Sequence, residues 1–288
     1  MKASKLINSM LLAGSLIASG QLLAQADYSN VNIQTIPVRG NISMLIGAGG
    51  NIGVSAGDDG ILIIDDQFAP LADKIRAAIA DLGSDTPKFL LNTHFHGDHT
   101  GSNADFGMNS IIVAHENVRS RLIGENSPAS ALPVVTFDDD VTVHFNGEDI
   151  TLIHMPAGHT DTDSVVMFSG SNVIHMGDHF FNGGFPFVDM ANGGTVQGYL
   201  NNLEKALSWI GDDTAVVPGH GPLGTKQDLL DFYNVVKDTS TTIRVMKSQQ
   251  MSKEEIVAEG LDAQYESWGQ GFINEQRWIE TVFDSYPR

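Results

Sequence analysis

The amino-acid sequence predicts an α/β protein, a layered domain of sheets and helices that continues into a helical C-terminal segment. Three observations carry that expectation. Short β-rich runs alternate with stretches of helical periodicity through the earlier part of the chain. Several of those runs are continuously apolar, Ile61-Leu62-Ile63-Ile64 above all, as expected of strands buried on both faces. From about Lys226 the periodicity is helical with scattered large aromatics, and no linker-like or low-complexity stretch sets that segment apart.

Taken in order, the chain opens with Lys2 and Lys5, an apolar stretch from Leu11 to Ala18, and Ala24-Gln25-Ala26. That is the pattern of a secretory signal peptide cleaved before Asp27. The apolar run is too short for a bilayer core of about 30 Å. Residues 1–26 are therefore expected to be removed, leaving a periplasmic or secreted protein that does not bind membranes. Residues 27–225 are expected to form the main domain, and 226–288 a helical extension packed on it.

Val31 to Val38, Ile42 to Ile46 and Ile52 to Ala56 read as strands, with Gly47-Ala48-Gly49-Gly50-Asn51 as a turn between the second and third. Ile61 to Ile64 follows, then a helix from Pro70 whose apolar residues Leu71, Ile75, Ala78, Ile79 and Leu82 recur mostly every three or four positions. Phe89-Leu90-Leu91 is a buried strand that runs straight into Asn92-Thr93-His94. Ile111 to Val113 is a further strand, and Glu116 to Ile123 a short helix. Val134 to Phe137, Val141 to Phe145, Ile150 to His154, Val165 to Phe168 and Val173 to Met176 read as one meander. Val196 to Ile210 is a helix, and Ala215 to Val217 a last strand before Pro218-Gly219-His220-Gly221-Pro222.

Composition narrows the function. The 42% hydrophobic and 18% charged shares describe a globular chain with a sizeable core. Cysteine is absent, so no disulfide staples the fold and no thiolate serves as ligand or nucleophile. A net charge of −19 repels nucleic acid and anionic membrane surfaces, which points to a small-molecule substrate. The sequence specifies no oligomeric state.

The chemistry is concentrated in His94-Phe95-His96-Gly97-Asp98-His99. Residues two apart on an extended segment point the same way, so His94 and His96 can aim at one cation while Phe95 turns into the core. A tight turn at Gly97 then swings Asp98 and His99 toward a neighbouring point. Three further metal-type residues sit just beyond predicted strands, each preceded by glycine: His159, Asp178 and His220.

This ordered set, His-x-His-x-Asp-His followed by Gly-His-Thr, Gly-Asp and Gly-His-Gly, resembles the metallo-β-lactamase superfamily over about Asn32 to Pro222. The resemblance implies a four-layer αβ/βα sandwich, two mixed sheets face to face with helices outside and metals at one edge. It implies that His94, His96 and His159 hold one metal, that Asp98, His99 and His220 hold a second, and that Asp178 bridges them. The ions are expected to be two Zn2+, with iron or manganese also compatible with these donors. The implied activity is hydrolysis of an ester, lactone, amide or related bond by a hydroxide shared between the ions, with Asp98 also holding that hydroxide and accepting its proton.

Asp178 stands where β-lactamases of the superfamily usually carry Cys or Ser, so β-lactam hydrolysis is an alternative rather than the leading expectation. A mononuclear iron enzyme oxidising sulfur compounds is another, disfavoured by the presence of Asp98, His99 and His220 together. From Gly221 onward there are 7 Lys or Arg against 11 Asp or Glu, a poor match to the basic glutathione-binding extension of glyoxalase II. The run Phe180 to Phe187 has no Lys or Arg and either lines an apolar pocket or packs in the core. Asp65, Thr160, His175 and His179 are candidates for orienting the ligands. His115, His144 and His154 are expected to be structural.

Overall fold

A computed structural model describes residues 27–287, so the expected signal peptide lies outside the described residues. Val31–Arg288 forms one compact unit; of the other unit, Met1–Asn30, only 27–30 are described, with Ser29 N–H donating to Asp27 Oδ1 at 2.9 Å. Among the described residues, no helix is long and apolar enough to cross a membrane.

The first sheet is built from β1 (Gln34–Arg39), β2 (Ile42–Ile46), β3 (Ile52–Gly57), β4 (Gly60–Ile64), β5 (Phe89–Leu91), β6 (Ile111–His115) and β7 (Val135–Phe137), side by side in chain order. Its first four strands are antiparallel, and β4 to β7 are parallel. The parallel half needs crossovers, supplied by α1 (Ala72–Ala80), by the short α2 (Gly97–Thr100) and α3 (Asn103–Phe106), and by α4 (Glu116–Gly124). The second sheet is made of β8 (Asp140–Phe145), β9 (Glu148–His154), β10 (Ser164–Phe168), β11 (Val173–His175), β12 (Ala215–Val217) and β13 (Gly224–Thr225), also neighbours in that order. Its outer helices are α5 (Val196–Trp209), α6 (Lys226–Ser248), α7 (Lys253–Glu259) and α8 (Glu275–Ser285).

Two apolar layers glue this sandwich. Met44, Leu62, Ile64 and Leu91 of the first sheet meet Ile150, Leu152, Val166 and Val217 of the second in a buried inter-sheet core. On the other face of the second sheet, Val165, Ile174 and Val216 pack with Leu203, Phe232, Ile243 and Trp278 of the helices. Trp278 is fully buried and its indole N–H donates to Thr239 Oγ1 at 2.9 Å, satisfying its one polar atom. Segment 226–288 thus shares its core with the strands. On the outside of the first sheet, Val118 and Leu122 of α4 pack on Ala114 and Phe95.

The expected meander from Val134 to Met176 is corrected in one respect. β7 pairs parallel with β6 in the first sheet, and the chain crosses to the second sheet at Asp138-Asp139 before β8 begins. Alternation along a strand reports which face is buried, not which strand lies alongside, so the switch of sheets is silent in the pattern. Gly97 likewise opens a short helix rather than a turn, with Asp98 and His99 in its first turn.

The topology decides where side chains converge. β9 and β11 both run antiparallel to β10, and β12 runs parallel to β11. The loops after β9, β11 and β12 therefore leave the second sheet at one edge, as the loops after β4 and β5 leave the first.

Candidate metal centre

His94, His96, His159, Asp178, Asp98, His99 and His220 all meet at that shared edge. They fall into two clusters: His94, His96, His159 and Asp178 in one, and Asp98, His99 and His220 in the other, with the potential donor atoms within 4.8 Å of one another in each. Asp178 joins the two. Its Oδ2 lies 3.4 Å from His159 Nε2 and 3.9 Å from His94 Nε2, whereas its Oδ1 lies 3.0 Å from His99 Nε2 and 3.3 Å from His220 Nε2.

Hydrogen bonds around the rings set the tautomers. Thr93 Oγ1 gives its single proton to Asp65 Oδ2 (2.7 Å), so it accepts from His94 Nδ1–H at 3.1 Å and leaves the His94 Nε2 lone pair facing inward. His99 Nδ1–H donates to Asp65 Oδ2 (2.7 Å) and His159 Nδ1–H to the Phe187 carbonyl (2.7 Å), with the same consequence. His96 is turned the other way: Nε2–H donates to Asp189 Oδ2 at 3.0 Å, which leaves Nδ1 pointing at His159 Nε2, 2.9 Å away. Lone pairs converging from opposite rings need a cation between them. His94 Nε2 and Asp178 Oδ1 are also buried without a hydrogen bond, Oδ1 despite the closeness of His99. Orphaned buried donors and acceptors of this kind, in an imidazole and carboxylate set, fit divalent metal.

Of the expected orienting residues, Asp65 touches His99, one of the expected ligands. Thr160 instead bonds Asp163, His175 donates to the Asn51 carbonyl (3.1 Å), and His179 stacks on Tyr199 and accepts from Asn202. His144 pairs with Asp149 at the surface, and His115 stacks face to face on His154 with centroids 3.7 Å apart. Asp189 was not legible: its carboxylate holds His96 while its N–H donates to the carbonyl of His159. The turn Gly47 to Asn51 also does more than join strands. Gly50 lies against His99 so closely that a Cβ there would overlap the ring, and Asn51 Nδ2 ties the turn to the carbonyls of Pro218 (3.0 Å) and Gly221 (2.9 Å). Gly219 packs on Asp178 Oδ1 in the same way.

Electrostatics bind the cluster without metal at the cost of protons. Burial opposes charge on His220, but Asp178 and Asp98 beside it outweigh burial and lift its pKa to about 9. His99 is likewise raised, against burial, by Asp178, Asp98 and Asp65. Burial pushes the carboxyl of Asp178 up, but the surrounding imidazoles of His220, His99, His159 and His94 together hold it well below the carboxylate range. Burial drives His159 down to about 4. A raised histidine stabilises the fold fully below its unfolded pKa of about 6.5, and that contribution disappears as pH rises through about 9. Metal-free protein is therefore expected to lose thermal stability between about pH 6.5 and 9, whereas metal-loaded protein, with ions in place of the protons, stays nearly flat. Melting curves of both forms across that range check this; a flat metal-free profile would contradict it.

A cavity of about 760 Å³ opens onto the cluster, lined by His96, Asp98 and His220 at its floor and by Phe68, Phe181, Phe185, Phe187 and Phe272 on its walls. The Phe-rich run is divided: Phe180 sits in the helical core, Phe185 packs in that core and borders the cavity, and Phe181 stacks on His220 and Phe187 on His96.

The metallo-beta-lactamase superfamily profile matches residues 49–220 of this sequence. The chain belongs to that superfamily. It is 31% identical over 134 residues to a hydroxyacylglutathione hydrolase of Polaromonas, covering 46% of this chain and 47% of that protein, so the chain spans about half the length of this relative. It is 28% identical over 192 residues to a probable metallo-hydrolase of Bacillus subtilis, covering 60% of this chain and 90% of that one. Among solved structures, a metallo-beta-lactamase from Pontibacter korlensis superposes with a TM-score of 0.61 at 16% identity, over 72% of this chain and 99% of that one, a likeness of fold.

Proposed function

We propose that the protein is a binuclear metal-dependent hydrolase of a small ester, lactone, amide or related substrate. The observation that carries this reading is the placement of Asp178, one carboxylate oxygen turned toward each histidine cluster. In it His94, His96 and His159 would hold one ion, Asp98, His99 and His220 the other, and Asp178 would contribute to both. The thiol-free donor set suits Zn2+, and tolerates iron or manganese. When bound, two such ions would supply a water whose pKa is lowered to about 7 and a Lewis acid for the substrate carbonyl.

The chain's own residues do the rest. Asp65 and Asp189 fix the rings of His99 and His96, so the site is organised before substrate arrives. Asp98 faces the cavity, its Oδ2 3.4 Å from His220 Nε2; His99 and His220 outweigh the burial that would raise its pKa and keep it ionised. It is placed to accept the proton of the attacking water and to pass it to the leaving group. The phenylalanine walls hold the substrate's apolar part and exclude bulk water. We place this activity outside the cytoplasm on the strength of the N-terminal sequence pattern.

Elemental analysis of purified protein, run beside turnover of esters, lactones, a thioester and a chromogenic cephalosporin, tests the proposal. The expected result is about two ions per chain and chelator-sensitive hydrolysis of the first classes. A single iron per chain with no hydrolysis would overturn it, and preferential cephalosporin turnover would move the substrate class to β-lactams.

A further inference from the structure

Arg277, an exposed residue of α8, packs against two rings of the cavity wall without the hydrogen-bonded partner that four other arginines of this chain have. Its guanidinium carbon lies 5.1 Å from the ring centroid of Phe272 and 5.5 Å from that of Phe187, and both rings wall the cavity. Among the described residues it forms no ion pair and no side-chain hydrogen bond. Arg39, Arg76, Arg119 and Arg121 donate to carbonyls or carboxylates, and Arg244 lies over the Tyr286 ring, 4.4 Å from its centroid.

The ring faces explain where the group is held but not what its edge is for. Contacts with the faces of Phe187 and Phe272 use none of the five N–H groups in the guanidinium plane, which keep the planar fork that matches a carboxylate. Helix stability does not explain the residue either. Arg277 is the third residue of α8 after the Asn274 cap, where a cation meets the positive end of the helix dipole. A bound anion there is favoured by both.

We propose that the substrate carries a carboxylate on a flat apolar group, and that Arg277 binds that carboxylate. The reacting carbonyl sits over His96, Asp98 and His220, the apolar body lies against Phe181, Phe187 and Phe272, and the carboxylate reaches the guanidinium fork. This rests on the hydrolase reading of the site. Arg277 lies outside the residues matched by the superfamily profile, so the recognition is a property of this chain's C-terminal helix.

The test compares two isosteric esters, 4-acetoxybenzoate and 4-acetoxybenzamide, on the metal-loaded full chain and on Arg277→Gln and Arg277→Lys. The wild type is expected to show a KM about tenfold lower for the carboxylate, R277Q a ratio near one, and R277K a partial preference. Equal KM values in the wild type, or a preference that survives in R277Q, would overturn the assignment. Binding of benzoate and benzamide, followed by tryptophan fluorescence of the same proteins, separates the two failures. If neither ester is hydrolysed, the hydrolase reading falls. Arg277-dependent benzoate binding then still sustains the anion site, and binding indifferent to Arg277 removes it.

Discussion

Replacing Asp178 with asparagine is expected to leave the fold intact, to release at least one of the two proposed ions and to lower turnover about a thousandfold or more, roughly 4 kcal/mol of lost transition-state stabilisation. The carboxylate is 6% exposed, and each of its oxygens faces a different cluster. Asparagine has nearly the same shape but presents one neutral oxygen and one N–H2 group. Whichever cluster faces the amide nitrogen meets donors where it needs a lone pair. Loss of the charge also deprives His99 and His220 of the neighbour that raises both. The backbone carbonyl of residue 178, which accepts the Tyr199 hydroxyl at 2.8 Å, is untouched, so circular dichroism should not change. Metal content and kcat are the readouts. A variant that keeps two ions and wild-type turnover would mean that Asp178 is not the bridge.

The seven residues of this centre were visible in the sequence because strand ends are visible. Phe89 to Leu91, Val173 to Ile174 and Ala215 to Val217 are short apolar runs that stop at Asn92, His175 and Pro218, and each delivers its metal-type side chain within a few positions. Covalent spacing does the same for His94 and His96. The identity of the family adds the pairing between clusters, which no local pattern contains.

What stayed hidden depends on contacts between distant segments. Asp189 reaches His96 across 93 positions, and its local sequence announces only an Asx-type turn with Asn192. The Phe-rich run divides between core and cavity because a 3-10 turn at Gly177–His179 and the irregular chain after it break any fixed periodicity. Phe272 reaches the cavity wall, with Arg277 against its ring, from a segment whose helical pattern predicts an extension packed on the domain and is silent about the cavity beside it.

Asp65 is the position where stability and chemistry are expected to fail together. Asp65→Ala should destabilise the protein by about 3–5 kcal/mol and weaken metal binding about 10- to 100-fold. The side chain is fully buried and accepts from Thr93 N–H at 2.8 Å, Thr93 Oγ1–H at 2.7 Å and His99 Nδ1–H at 2.7 Å. Alanine strands three buried donors at once and frees the His99 and Thr93 groups that fix the tautomers of two proposed ligands, His99 and His94. It also inherits a backbone with φ of 62°, a left-handed conformation that Asp tolerates better than Ala. Asp65→Asn separates the two contributions. It retains the shape and suits the backbone, but has one acceptor oxygen for three donors, so its folding stability should lie between wild type and alanine while its metal affinity falls nearly as far. Denaturant midpoints of the metal-free proteins, set beside metal titrations of each, measure the terms independently. If both variants bound metal as wild type does, the Asp65–His99 bond would be structural alone, and the orientation of His99 would have to come from Gly50 and Asp178, the groups that close on the ring from its other side.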